Sequence, residues 1–414
     1  MKYIKFSWSA FDLSQYQRMV KFLALVITSS TILLTCNVLE PGLPSDEEVL
    51  DGPVIGLTQA ESIQFLAGDA AFNNEVFISS TGLGPLFVAS SCGACHAGDG
   101  KGHPFTSLTR FGQSDTSGNK YLNLGGPQLQ HRAIPGYLPE PLPIGATYSK
   151  LVPPANTGLG FIELVSDQEI LSMADPEDKD GDGISGIPNW TKVPAYVNIP
   201  PTAVIKDGKN ISRFGKKGAA FDLLHQTVNA YNQDMGINTS FEPYDTYSGR
   251  SISPEIPDQT VRNVVFYLQT LKAPIPRNNQ EPSVVQGKKL FIDIGCESCH
   301  RQSLHTRTST IKALSNKTFY PYTDLLLHDM GPGLDDGYTE GSATTAEWRT
   351  PPLWGLGLAP ASQGGHYYLL HDGRAQSIDQ AIEMHGGEAD RVVKTYSALS
   401  PIEKSSLLRF LKSL

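Results

Sequence analysis

The chain has 414 residues, 40% of them hydrophobic and 18% charged, and a formal charge of −9; this is the balance of a globular protein long enough for two domains, and it excludes a disordered chain. A sequence pI near 5.6, with no Lys/Arg-rich stripe to displace phosphate counterions, excludes a nucleic-acid partner. Four of the five cysteines fall in two C-x-x-C-H strings, which leaves no disulfide framework.

Residues 1–36 read as an export signal. Met19-Val-Lys precedes an apolar run from Phe22 to Thr35, a segment of signal length and short for a bilayer span. The run ends in Leu33-Leu34-Thr35-Cys36, which resembles a bacterial lipoprotein signal with Cys36 lipidated, although Thr35 departs from the small residue expected there. The alternative is an ordinary cleaved signal with an incidental cysteine. Both make the protein exported and periplasmic. Because no Asp follows Cys36, resemblance to lipoprotein sorting points to a lipid anchor in the outer membrane. Residues 37–56 are acidic and contain Pro, and they read as a solvated tether.

A first unit is expected over 57–276. Gly82-Leu-Gly-Pro-Leu-Phe87 leads into Cys92-Gly-Ala-Cys95-His96, and each C-x-x-C-H is read as following a helix. Gly- and Pro-rich stretches such as Gly125-Gly-Pro-Gln128 form long loop insertions, which in a compact domain usually carry function. Asp178-Lys-Asp180-Gly-Asp182-Gly183-Ile184 spaces carboxylates as an EF-hand-like loop does, so Asp178, Asp180, Asp182 and the Ile184 carbonyl are candidate Ca²⁺ ligands. Asn189 replaces the closing Glu, and the alternative is a solvated acidic turn. A helix is predicted over Ala219–Gln233, and an amphipathic one through Val261, Val264, Leu268 and Leu271, stopped by Pro274 and Pro276.

A polar linker from Arg277 to Ser283 marks the boundary. The second unit, 284–414, repeats the order: Gln286-Gly-Lys-Lys-Leu-Phe291, then Cys296-Glu-Ser-Cys299-His300. It closes with Ser400-Pro401-Ile402-Glu403, a capping box with Pro at the first helical position, ahead of Leu407, Phe410, Leu411 and Leu414. The fold class expected is mainly α, as two tandem cytochrome c-like domains.

Two cysteines three apart reach both vinyl groups of one porphyrin while the adjoining histidine reaches the iron, so each string reads as c-type haem attachment. Zinc would need the two pairs in one tetrahedral cluster, and a redox dithiol would not require His twice. Cys92, Cys95, Cys296 and Cys299 are thus the thioether positions of two covalently bound haems, with His96 and His300 as proximal ligands. The distal side decides between electron carrier and enzyme. Met173, Met235, Met330, Met384, His371 and His385 are the candidates, with Met235, Met384 and His385 foremost.

Further strings carry a family resemblance: Arg213-Phe-Gly215, Asp234-Met-Gly-Ile237, Leu326-Leu-His-Asp-Met-Gly-Pro-Gly333, Arg349-Thr-Pro-Pro-Leu-Trp-Gly355, His371-Asp-Gly-Arg374 and His385-Gly-Gly-Glu388. With the two haem motifs, this order resembles the bacterial di-haem oxidoreductases of the peroxidase kind, relatives of the di-haem cytochrome c peroxidases and of the enzyme that matures tryptophan tryptophylquinone. The resemblance implies two facing cytochrome c domains, one haem meeting a peroxide or other small oxidant and the other passing electrons from a donor protein or quinol-linked chain. By position it offers His371 and Glu388 as catalytic acid groups. The chain departs from the pattern at Lys216, where Trp is common, and at Leu370, where related peroxidases have Met; Trp190, Trp348 or Trp354 would have to replace the missing aromatic. The alternative function is a non-catalytic di-haem electron carrier, and oxidation of a thiol or other organic substrate is a third.

Overall fold

The computed structural model describes residues 16–22, 44–112, 119–124 and 126–414. Residues 1–45 form one unit, of which only a short exposed helix at 16–22 and residues 44–45 are described; Cys36 and the apolar run 23–35 lie outside the described residues. Residues 46–414 form a second, compact unit. No helix among the described residues is long and apolar enough to cross a membrane.

The compact unit is mainly helical. Apart from a four-residue turn of helix at Ala359–Ser362, its α-helices are α1 (Gln59–Asp69), α2 (Leu159–Glu163), α3 (Asp167–Met173), α4 (Leu223–Asn229), α5 (Asp258–Thr270), α6 (Pro282–Asp293), α7 (Ile378–Glu383), α8 (Asp390–Ala398) and α9 (Pro401–Ser413). The strands are short. Antiparallel ribbons such as β1 (Leu108–Phe111) with β2 (Tyr148–Leu151) and β3 (Leu327–Asp329) with β4 (Glu347–Arg349) tie loops together rather than build a layer.

Two helix crossings repeat one design. In the first, Gly68 of α1 meets α5 so closely that a Cβ would stand 2.1 Å from the Asn263 carbonyl oxygen and 2.6 Å from Tyr267 Cβ. In the second, Gly287 of α6 meets α9, and the same distances to Ser406 O and Phe410 Cβ are 2.0 and 2.7 Å. Glycine is required at both because any side chain would prise the helices apart. Four residues on, Phe72 packs on Tyr267 and Phe291 on Phe410, at 5.4 and 5.5 Å between ring centroids. The closing helices form where their periodicity places them, and both halves of the Ser400/Glu403 capping box are made.

Three expectations need correction. First, the lead into Cys92 is not helical: α1 ends at Asp69 with a π-turn at Ala70–Asn74, and Gly82–Phe87 is a turn and a strand. Pro85 has no amide proton to give a helix, and Gly84 lies against Gly236, where a Cβ would stand 2.5 Å from the carbonyl oxygen. Second, α4 begins at Leu223, later than Ala219, because Asp222 caps it by accepting from His225 N (2.7 Å) while Ala220 is bridged to Phe214. Third, the described end of the tether is docked: Leu50 is buried, Val54 N donates to Thr270 O (2.7 Å), and Asp46 pairs with Lys272.

Candidate functional site

Each C-x-x-C-H turn is built the same way. His96 N donates to Cys92 O and His300 N to Cys296 O, both at 3.0 Å, so each histidine leaves its turn in a fixed direction. The His96 Nδ1–H donates to the Pro154 carbonyl (2.9 Å) and the His300 Nδ1–H to the Tyr322 carbonyl (3.0 Å). In both rings this leaves Nε2 as the nitrogen that could hold a metal, the tautomer being set by the carbonyl. Burial pushes both imidazoles down to about 4, which keeps them neutral, the ligating form. Phe72 and Phe291 tilt against the two rings.

The four cysteines are half-buried and not joined to one another. Burial pushes the Cys92 and Cys296 thiols up to about 12 and Cys95 to about 11. A redox dithiol needs the opposite shift, so the dithiol reading loses its chemistry here. Both strings face one cavity of about 380 Å³. Its wall is mainly apolar, and paired thiols with a neutral, oriented imidazole at two places on it suit two haems.

The cavity sorts the distal candidates. Met235, Met330, His371 and His385 line it, whereas Met384 packs against the α6–α9 core and Met173 against the other core. Met235 is only 3% exposed and is packed with Phe77 and Tyr231. His385 anchors its Nδ1–H on the Ala381 carbonyl (2.6 Å), lines the cavity, and lies near enough to His300 to lower that imidazole's pKa further. Leu370 and Lys216, the two departures from the family pattern, both line the cavity.

The two expected acid groups have different surroundings. The Glu388 carboxylate accepts from His328 Nδ1 (2.6 Å), from the Ser185 hydroxyl (2.6 Å) and from Ser185 N (3.2 Å). Burial opposes its charge, but these bonds hold the carboxyl below its usual range. His328 in turn donates through Nε2 to Asp324 (2.9 Å). Burial disfavours charge on His328 too, yet the bonds to Asp324, Cys299 and Glu388 outweigh it and lift the imidazole to about 12. Glu388 is therefore an ionised partner of a buried imidazolium beside Cys299. His371 is pushed down to about 3, chiefly by burial, and so holds no cationic proton.

His371 belongs to a column that the sequence does not reveal. Its ring stacks on Trp348 at 3.8 Å and 7°, and Lys217 Nζ lies 3.8 Å from the centroid of the indole. Lys217 is 1% exposed and donates to the carbonyls of Thr344, Thr345 and Glu347.

The cavity's unpartnered polar atoms come from one stretch of chain. Among the described residues, the cavity-lining side chains with a buried, unpartnered polar atom are Asn156 (Nδ2), Arg213 (Nε), Thr227 (Oγ1) and Tyr231 (Oη). All come from the chain between the two haem motifs. Buried polar atoms seldom go unpaired, so this wall is shaped for a hydrogen-bonding occupant.

In the acidic loop, Asp178 and Asp180 converge with Asp175, the ligand oxygens within 4.8 Å of one another. Asp182 turns aside and accepts from Ile184 N (2.8 Å). Asp175 lies outside the D-x-D-x-D-G string, and a carboxylate three residues before that string was the available signal.

A family model described as "Di-haem oxidoreductase, putative peroxidase" matches residues 151–414. No curated protein matches the chain. Among solved structures, hydrazine synthase of Kuenenia stuttgartiensis pressurised with xenon is 14% identical, covering 91% of this chain and 98% of that one, with a TM-score of 0.37. A MauG-like protein associated with microbial copper homeostasis is 14% identical over 91% of this chain and 94% of that one, with a TM-score of 0.41. The diheme peroxidase BthA from Burkholderia thailandensis E264 is 15% identical over 85% of this chain and 86% of that one, with a TM-score of 0.40.

Proposed function

The chain belongs to the di-haem oxidoreductase family and is a haem-dependent oxidoreductase; on that premise we propose that it reduces a peroxide beside Cys92–His96 and receives electrons beside Cys296–His300. When bound, two haems would supply two one-electron centres, which together match the two electrons that, with two protons taken up from solvent, convert a peroxide ROOH to ROH and water. Cys92, Cys95 and His96 would hold one covalently, and Cys296, Cys299 and His300 the other, each in a cytochrome c-like half.

The observation that carries the division is that the cavity's unpartnered polar atoms all come from the chain between the two haem motifs. Asn156, Thr227 and Tyr231 offer unpaired polar atoms that can hold a peroxide or its water product. Beside His300 the chain instead presents His385, oriented by Ala381 and free at its second nitrogen to complete an iron's coordination. A haem held by His300 and His385 together would exchange electrons and admit no substrate. The Asp175/Asp178/Asp180 group would hold Ca²⁺. Export, lipidation at Cys36 and outer-membrane anchoring complete the proposal, with a donor protein or quinol-linked chain as the electron source.

The spin state of each iron tests this. The oxidised holoprotein should show one low-spin centre, which His385→Ala turns high-spin, and one that is high-spin or becomes so on half-reduction. Two low-spin centres that stay so on half-reduction, with no peroxide turnover, would sink the proposal.

A further inference from the structure

Three cations stand together in the cavity wall, and the carboxylates that share or approach this wall are not paired with them among the described residues. Lys101, Lys216 and Arg349 all line it. Arg349 N donates to Lys216 O (3.2 Å), so these two are neighbours through their backbones. Gly102, next to Lys101, lies against the first haem motif, where a Cβ would come within 2.6 Å of Cys95 O.

Among the described residues, none of the three is in an ion pair. Arg349 spends Nε on Gly215 O (3.0 Å) and Nη1 on Thr350 O (3.2 Å), which leaves Nη2 for the cavity. The ammonium groups of Lys101 and Lys216 have no hydrogen-bond or ion-pair partner among the described residues. The nearby carboxylates are committed: Asp372 to Arg374 (2.7 Å) and Asp324 to His328. Lys216 shows the strain of the arrangement. Burial first, then Lys101 and Arg349, depress it to about 7, against the weaker pull of Asp372.

Like charges gathered on a largely apolar wall repel unless an anion lies among them. We propose that Lys101, Lys216 and Arg349 form a carboxylate-binding site in the cavity wall, occupied by the propionate groups of the porphyrin held at His96. Both chemistry and place support this occupant. A porphyrin brings two carboxylates on one edge, matched by ammonium and guanidinium donors. Lys101 lies beside Cys95, and Lys216 is near enough to lower the pKa of His96. Lys216 also stands where the family resemblance led to an aromatic, so this chain has a cation at that place in the wall.

The inference rests on the two-haem reading, and a haem count by pyridine haemochromogen on the wild-type holoprotein comes first. Fewer than two haems would sink that reading; with two, the inference stands or falls on potentiometry. A cation beside the propionates favours the reduced centre, so Lys101→Gln and Lys216→Gln should each lower one midpoint and leave the other in place, and Lys216→Arg should restore it. The two lysines lie on different loops, so failure of one variant to fold leaves the other to decide. The second possible source is a free carboxylate or phosphate. In that case neither midpoint moves, while acetate or inorganic phosphate shifts the wild-type haem spectrum saturably and the Gln variants lose that response, which keeps the site but removes the porphyrin as its occupant. Unmoved midpoints with no anion response overturn the inference.

Discussion

The two halves of the compact unit hold their haem motifs on the same frame and differ in what is built around it. In both, a glycine lets two helices touch, a phenylalanine one turn later braces the histidine, and a backbone carbonyl fixes its ring. In the second half α6 runs almost directly into Cys296, and the surroundings are packed or ion-paired. In the first, the stretch from Asp69 to Cys92 and the chain from His96 to α5 are long, and that extra chain supplies the unpaired polar wall. The lesson is that the frame sets the ligand while the insertion sets access.

The comparison can be broken hardest at the second motif. His328→Leu leaves Asp324 and Glu388 without their counter-ion and should cost about 3–5 kcal/mol in urea unfolding. The folded-state imidazole lies far above its usual 6.5, so its stabilisation is complete below about pH 6.5 and fades as pH rises toward the folded value. Wild type and variant should therefore draw together as the solution is made alkaline, and a constant gap would refute the ion-paired assignment.

The shared frame predicts matching costs. Gly68→Ala and Gly287→Ala should each destabilise by about 1–3 kcal/mol, and a large difference between them in denaturant titrations would show that the two crossings are not equivalent.

A smaller effect separates the walls. Tyr231→Phe removes a hydroxyl that lacks a partner, so stability should hold or rise by up to about 1 kcal/mol, while loss of one hydrogen bond to substrate slows peroxide turnover about tenfold. Turnover at the wild-type rate would remove Tyr231 from the site. The smallest effect is expected in the acidic loop. Asp175→Asn and Asp180→Asn should lower calcium content measured on the purified protein, and Asp182→Asn should leave it nearly unchanged because that side chain serves Ile184 N.

What was legible in the sequence was local. The C-x-x-C-H turns, the closing helices and the Ser400 capping box need only neighbours along the chain, and spacing reports neighbours well. The surroundings of Glu388 and His371 were not legible by position, because each is set by a partner distant in sequence: His328 for one, Trp348 over Lys217 for the other. The same holds for Asn156 and Tyr231, whose significance lies in lacking partners, something no pattern of residue types records. The lead into Cys92 misled because Gly84 answers to Gly236, not to its own helix.

The glycine crossings also bear on the order of folding. Synthesis runs from the N-terminus, and α1 cannot bury its Gly68 face until α5 has been made, well after Cys92–His96 is complete. α6 waits only for α9. The first motif therefore spends the longer time on an unfolded segment, its cysteines open to modification, and the half that supplies the unpaired polar wall is also the one whose frame closes across the longer loop.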